Sequence, residues 1–154
     1  MSENKQLGMK WFHFLIYFVL WLNAASMIIC SLPYFNGSIW ESPSAMYTQY
    51  PTLQSIDYIY GGALLLFGVF CIITRSRLAK FKKGAPILVY LFYIFGNLVL
   101  NLSYNVLVLL VMNRAGDLIS MFLDPELIGS IVGTIVIVAL NKVYFDKRAH
   151  LFVN

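Results

Sequence analysis

The chain has 154 residues and a formal net charge of +4, with 60% hydrophobic and only 12% charged residues. Its mean hydropathy is +0.74. Ordinary soluble domains carry about 25% charged residues, so this composition excludes a soluble globular fold and predicts a single all-α membrane domain over residues 1–154. The basic residues flank apolar runs instead of forming a face of their own, which argues against nucleic acid as a partner.

Four apolar segments are long enough to cross a hydrocarbon core of about 30 Å, which requires about 20 helical residues. In chain order, the predicted spans cover about residues 11–31, 58–74, 86–112 and 125–145. Pro33 is expected to close the first span, because proline cannot continue the helical hydrogen-bond ladder. Pro86 and Pro125 suit the first position of the third and fourth helices, and Asp124 suits the N-cap of the fourth.

The first span has an alternative interpretation as a cleaved signal peptide. Lys5 and Lys10 precede it, and Ala24-Ala25-Ser26 offers small residues for cleavage. Its apolar part, from Trp11 to Ile29, exceeds the usual core length of about 7 to 15 residues. We therefore expect a retained helix.

Basic residues are unevenly distributed along the chain. No lysine or arginine occurs between Lys10 and Arg75, whereas the segment Arg75–Lys83, which we call the basic turn, is rich in them. Basic loops stay on the cytoplasmic side of a membrane. If both termini and the basic turn lie on that side, Arg114 is the only lysine or arginine on the outer side. We expect cytoplasmic N and C termini, with residues 33–56 and 113–124 outside.

The cations of the basic turn are Arg75, Arg77, Lys80, Lys82 and Lys83. Their simplest interpretation is topological, with anionic lipid headgroups as neighbours. In a second interpretation, the turn is a docking site for a soluble partner or for anionic lipid.

The third span contains a polar residue at every fourth position, namely Tyr93, Asn97, Asn101 and Asn105. Each step of four advances about 40° around an α-helix, so these side chains are predicted to form one polar stripe. Lipid cannot satisfy a carboxamide, and the stripe is expected to pack against other helices or other copies of the chain. The alternative is a hydrated path for a small polar solute or ion.

The fourth span contains Gly129 and Gly133 at the spacing that lets two helix backbones approach closely. Ser130 and Thr134 follow each glycine by one position. This pattern predicts helix packing and indicates no chemistry.

The sequence offers no catalytic or metal-binding constellation. Cys30 and Cys71 are single and fall at opposite ends of their predicted helices, and no ligand cluster accompanies His13 or His150. Asp57 is interpreted as an interfacial helix start and not as a proton site. We predict no enzymatic activity, no cofactor and no metal.

The predicted outer loops also carry recognisable features. Residues 33–56 are rich in aromatic side chains, which predicts either an interfacial aromatic belt or a surface for a ligand or partner. Asn36-Gly37-Ser38 matches a glycosylation acceptor. Asp117–Leu123 is expected to form a short interfacial helix.

Several segments of the chain resemble a family of small, uncharacterised bacterial proteins with four transmembrane helices, a domain of unknown function. The matching segments are KWFHFLIYF at residues 10–18, DYIYG at 57–61, TRSRLA at 74–79, YFDKR at 144–148 and LF at 151–152. The resemblance implies a multi-pass protein of the bacterial cytoplasmic membrane, and it implies no activity.

Together these features predict an integral membrane four-helix bundle with its partners in the lipid bilayer. The expected role is that of a structural, accessory or oligomerising component that contacts other copies or other membrane proteins. A small channel or transporter subunit is the first alternative, and a docking protein that uses the basic turn is the second.

Overall fold

The computed structural model describes residues 8–153, and all regular structure within that range is helical. Four long helices, numbered first to fourth in chain order, cover Lys10–Asn36, Pro51–Ala79, Ala85–Val111 and Pro125–Asp146. Each is long and apolar enough to cross a bilayer, which indicates a membrane protein. Two short helices, Pro43–Gln49 and Leu118–Phe122, lie in the connections that follow the first and third helices.

The helix boundaries have local causes. The first helix runs through Pro33 and ends before Gly37, whose φ of 75° lies in the left-handed region that ends helices. The second helix begins at Pro51 and not near Tyr58 as predicted, because a proline at the first helical position follows Tyr50 in a non-helical conformation. At the fourth helix, Oδ1 of the predicted N-cap Asp124 accepts a 2.7 Å hydrogen bond from the backbone N–H of Glu126.

The first and second helices pack antiparallel and approach closely at glycines. A Cβ atom at Gly68 would lie 3.0 Å from Cγ1 of Ile28, and one at Gly61 would lie 3.1 Å from Cβ of Tyr34. The buried thiol of Cys71 donates to the carbonyl of Leu20 across the same interface, at 3.1 Å. Small residues therefore bring these two backbones together.

The third helix packs on the second along its length, whereas the fourth helix packs mainly on one half of the third. Gly96 of the third helix lies against Phe67, and Tyr104 reaches the second helix near its start. The fourth helix contacts the third over Ala85–Val99. Beyond that stretch the third and fourth helices diverge and leave a cleft.

Two segments of the long helices have π-helical hydrogen bonding, Leu15–Val19 in the first and Phe92–Val99 in the third. Each turn of a π segment takes up more residues than an α-helical turn. The angle of about 40° per four residues that underlies the predicted polar stripe therefore does not apply over Phe92–Val99.

One end of the molecule collects the basic segments around an aromatic core. Phe81 of the basic turn stacks on Phe12 with ring centroids 5.0 Å apart, and Phe152 lies 5.6 Å from Phe81. Nη2 of Arg148 donates to the carbonyl of Gly8 at 2.8 Å. The start of the first helix, the basic turn and the C-terminal segment thus share one end, which we call the basic end. Lys5 lies outside the described residues.

Candidate functional site

Asp57 is a fully buried carboxylate at the end of the molecule opposite the basic end. Because the second helix begins at Pro51, Asp57 lies in its second turn and faces the interior. The prediction that the helix starts at Asp57 is therefore wrong, because it starts six residues earlier, at Pro51. Arg148 is the other charged side chain that is buried within residues 8–153.

Three side chains donate hydrogen bonds to this carboxylate. Trp40 Nε1 and Tyr47 Oη donate to Oδ2 at 2.9 and 2.8 Å, and Tyr104 Oη donates to Oδ1 at 2.8 Å. An indole N–H can only donate, and an ionised carboxylate can only accept, so the set fits an ionised Asp57. We call Asp57, Trp40, Tyr47 and Tyr104 the carboxylate clamp.

Within residues 8–153, the Asp57 carboxylate is surrounded by hydrogen-bond donors and forms no ion pair. The ion pairs formed among the described residues are Arg114–Asp117 and Lys142–Asp146, and both are exposed. Burial raises the pKa of Tyr47 to about 12, and the hydrogen bond to Asp57 adds to the shift. The Tyr47 phenol therefore remains a donor at every physiological pH.

Two further tyrosines surround the clamp. The rings of Tyr34 and Tyr60 lie 5.3 and 4.3 Å from that of Tyr104, measured between centroids. These aromatic rings separate the carboxylate from its surroundings and join the first three helices. Through these hydrogen bonds, the clamp attaches the segment that contains Trp40 and Tyr47 to the second and third helices.

The structure does not bring the four members of the predicted polar stripe together. Tyr93 is buried in the core, Asn97 is half-buried, and Asn101 and Asn105 are exposed. Nδ2 of Asn105 donates to Oδ1 of Asn101 at 2.6 Å and to its carbonyl oxygen at 2.9 Å. The two outer asparagines form a pair of their own.

This pair lines the cleft between the third and fourth helices, a cavity of about 330 Å³. Asp124, Glu126 and Ser130 line its other side, from the start of the fourth helix. An adjoining cavity of about 330 Å³ shares Asn105 and Asp124 and extends to Asp117. Neither cavity reaches Asn97 or Tyr93, so the cleft is open at one half of the third helix only.

Gly129 and Gly133 lie on an exposed face of the fourth helix, beside Ser130 of the cleft. A Cβ atom built at either glycine meets no heavy atom within 4 Å. Over the described part of the chain, these two glycines pack against no other helix.

The members of the basic turn differ in their surroundings. Arg77, Lys80, Lys82 and Lys83 are exposed. Arg75 is half-buried, and its guanidinium carbon lies 5.8 Å from the ring centroid of Tyr17 and 5.4 Å from that of Trp21. The structure therefore separates Arg75 from the other four cations.

Comparisons with protein-family models, with curated proteins and with solved structures find no match for this chain. The resemblance to bacterial four-span proteins accordingly stays a prediction. Within residues 8–153, no three His, Cys, Asp or Glu side chains are grouped to hold a metal ion. Cys30 is exposed, Cys71 is buried, and both are free thiols.

Proposed function

We propose that the protein is a self-associating structural or accessory component of the bacterial cytoplasmic membrane, and that its third and fourth helices form the contact surface for a second copy. The basic end is assigned to the cytoplasm, because basic segments remain on that side of the membrane. The cleft and the carboxylate clamp then belong to the outer half of the protein.

The observation that supports this proposal is the incomplete hydrogen bonding of Asn101 and Asn105. Nδ2 of Asn105 is used by Asn101, whereas Nδ2 of Asn101 and Oδ1 of Asn105 have no partner in the described chain. The polar side chains on the other side of the cleft, Asp124, Glu126 and Ser130, form no hydrogen bond to either group within the described chain, and hydrocarbon cannot satisfy them. One amide NH2 group and one amide oxygen remain, so a second copy related by a two-fold axis supplies partners for both reciprocally.

The neighbouring surface of the fourth helix supports the same arrangement. Gly129 and Gly133 offer an open, nearly flat helix face next to Ser130. Small residues at this spacing allow close approach of a second helix, and interhelical hydrogen bonds add to the association. The asparagine pair determines how the two copies align, and the glycines allow their helices to approach closely.

Replacement of the asparagine pair tests the proposal. We expect Asn101→Leu/Asn105→Leu to lower self-association in liposomes, measured as energy transfer between two differently labelled preparations. Ser103→Leu is the matched control, because Ser103 is exposed on the same helix and does not line the cleft. An unchanged unfolding temperature shows that each variant is folded.

The same variants examine the alternative of a solute path. A path is favoured by the polar cavity of about 330 Å³, although that cavity ends before Asn97. Release of a small trapped solute from liposomes that depends on Asn101 and Asn105, with self-association intact, would establish the channel and contradict the proposed function. Lost association without any such release supports the proposal.

A further inference from the structure

Arg75, at the basic end of the second helix, forms no ion pair within residues 8–153. Residues 8–153 supply neither an ion pair nor a hydrogen-bond acceptor for its guanidinium group. Its Nε is buried without a partner, whereas its terminal nitrogens are not buried. A guanidinium group with free terminal donors is suited to two parallel hydrogen bonds with a phosphate group.

Two aromatic rings of the first helix fix the position of this guanidinium group. Tyr17 and Trp21 lie one helical turn apart and are 67% and 47% exposed, so both face outward beside Arg75. Arginine stacks on aromatic faces, and such stacking holds its planar donors in one orientation. Arg75 is therefore preorganised, unlike a free surface cation.

The axial position of Arg75 matches the depth of a lipid headgroup. Asp57 and Arg75 are 18 residues apart on one helix (75 − 57), which corresponds to about 27 Å and approaches the hydrocarbon thickness of about 30 Å. Asp57 is buried at one boundary, and Arg75 lies at the other. Tyr17 and Trp21 are typical of the interfacial aromatic belt.

We propose that Arg75, Tyr17 and Trp21 bind the phosphodiester headgroup of one anionic phospholipid at the cytoplasmic face. The terminal nitrogens of Arg75 hold two phosphate oxygens, and an acyl chain lies along the exposed ring of Trp21, one turn deeper in the bilayer than Tyr17.

The charges nearby select an anionic lipid over a zwitterionic one. Four further cations of the basic turn are exposed within the same segment. No Asp or Glu occurs between Asp57 and Asp117. Asp146, which lies near Gly84 at the same end of the molecule, is paired with Lys142. A phosphatidylcholine headgroup brings a cation of its own, which this surface repels, whereas phosphatidylglycerol brings none.

Lipid competition tests the site in the full chain. Purified protein in detergent is mixed with equal amounts of phosphatidylglycerol and phosphatidylcholine, and native mass spectrometry identifies the first lipid bound. We expect a preference of about fivefold for phosphatidylglycerol. Arg75→Lys, which keeps the charge but loses the paired donors, is expected to reduce the preference severalfold, and Trp21→Leu is expected to do the same.

Arg77→Lys is the matched control and should leave the preference unchanged. Equal losses of lipid preference in Arg75→Lys and Arg77→Lys would show that the lipid is held by general electrostatic attraction and not by a specific site at Arg75. Lack of preference in the unmodified protein would overturn the proposal, and so would displacement of the lipid by millimolar inorganic phosphate. Unfolding temperatures confirm that each variant is folded, and self-association should not change in any of them.

Discussion

Oη of Tyr104 donates a 2.8 Å hydrogen bond to Oδ1 of Asp57 and so ties the third helix to the second at the end opposite the basic turn. The other carboxylate oxygen is occupied by Trp40 and Tyr47, which belong to the connection between the first two helices. One buried carboxylate thus joins three parts of the chain. Burial of a carboxylate costs free energy, and here three donors offset that cost.

The clamp predicts a large effect for Asp57→Asn. An amide replaces one acceptor oxygen with a donor, so at least one of the three donors loses its partner in a buried site. We expect the free energy of unfolding to fall by about 2 to 3 kcal/mol, with a lower unfolding temperature in detergent. Asp117→Asn is the control, because its ion pair with Arg114 is exposed, and we expect a change of at most about 0.5 kcal/mol. Equal stability of Asp57→Asn and the unmodified protein would contradict the role of the clamp.

The raised pKa of Tyr47 predicts an alkaline limit for the clamp. Its pKa is raised from 10.0 to about 12 in the folded protein by burial, with the hydrogen bond to Asp57 as the second cause. The folded state therefore favours the neutral phenol, and this contribution to stability is complete below about pH 10 and is lost as pH rises through about 12.

Absorbance titration measures this shift as the difference between the unmodified protein and Tyr47→Phe. We expect the Tyr47 phenol, which the variant lacks, to ionise near pH 12. In the Asp57→Asn background it should ionise at a lower pH, because the carboxylate is removed. Ionisation of that phenol at its ordinary pKa in the unmodified protein would exclude the hydrogen bond to a buried carboxylate.

The number of long helices could be predicted, because apolar length follows from the sequence alone. Proline positions were a weaker guide, since the first helix continues through Pro33 to Asn36. The start of the second helix is not evident from the sequence, because Thr52, Gln54, Ser55 and Asp57 interrupt the apolar pattern before Tyr58. Leu53, Asp57, Gly61, Leu64 and Gly68 are buried at helical spacing on the second helix. Extending the face of Gly61 and Gly68 back by one turn reaches Asp57, a signal that was available.

Other features of the candidate site could not be derived from spacing. The π segment Phe92–Val99 changes the angle between successive residues, so Tyr93 turns into the core while Asn101 and Asn105 face the cleft. A four-residue repeat assumes a regular α-helix and cannot foresee this. The partners of Asp57 are also distant in sequence, since Tyr104 lies on another helix.

Substitutions at two glycines distinguish the stability of the single chain from its self-association. A Cβ at Gly68 would lie 3.0 Å from Ile28 Cγ1 and 3.4 Å from the carbonyl oxygen of Ala24, and the backbone atom cannot move freely. We expect Gly68→Val to destabilise the chain by about 1 to 3 kcal/mol. Gly129→Val meets open space and should keep the unfolding temperature while energy transfer between labelled copies falls. The proposed interface is wrong if Gly129→Val leaves both the unfolding temperature and the energy transfer unchanged.

Cysteine labelling tests the orientation. In a Cys30→Ala background, an impermeant maleimide should label Ser44→Cys in intact cells and Lys83→Cys only after the membrane is permeabilised. The proposed orientation predicts this result, because it places the basic turn in the cytoplasm by the positive-inside rule. Labelling of Lys83→Cys in intact cells would reverse the assignment. Neutralising all five cations of the basic turn should give mixed insertion.

The central claim, that the cleft side of the third and fourth helices receives a second copy, is tested most directly by disulfide crosslinking in native membranes. Ser130→Cys lines the cleft, and Val69→Cys is the control on the exposed face of the second helix. Oxidation should produce a covalent dimer from Ser130→Cys, much less from Val69→Cys, and little from Ser130→Cys once Asn101 and Asn105 are leucine. A Ser130→Cys protein that stays monomeric, or that crosslinks no better than Val69→Cys, would contradict the account.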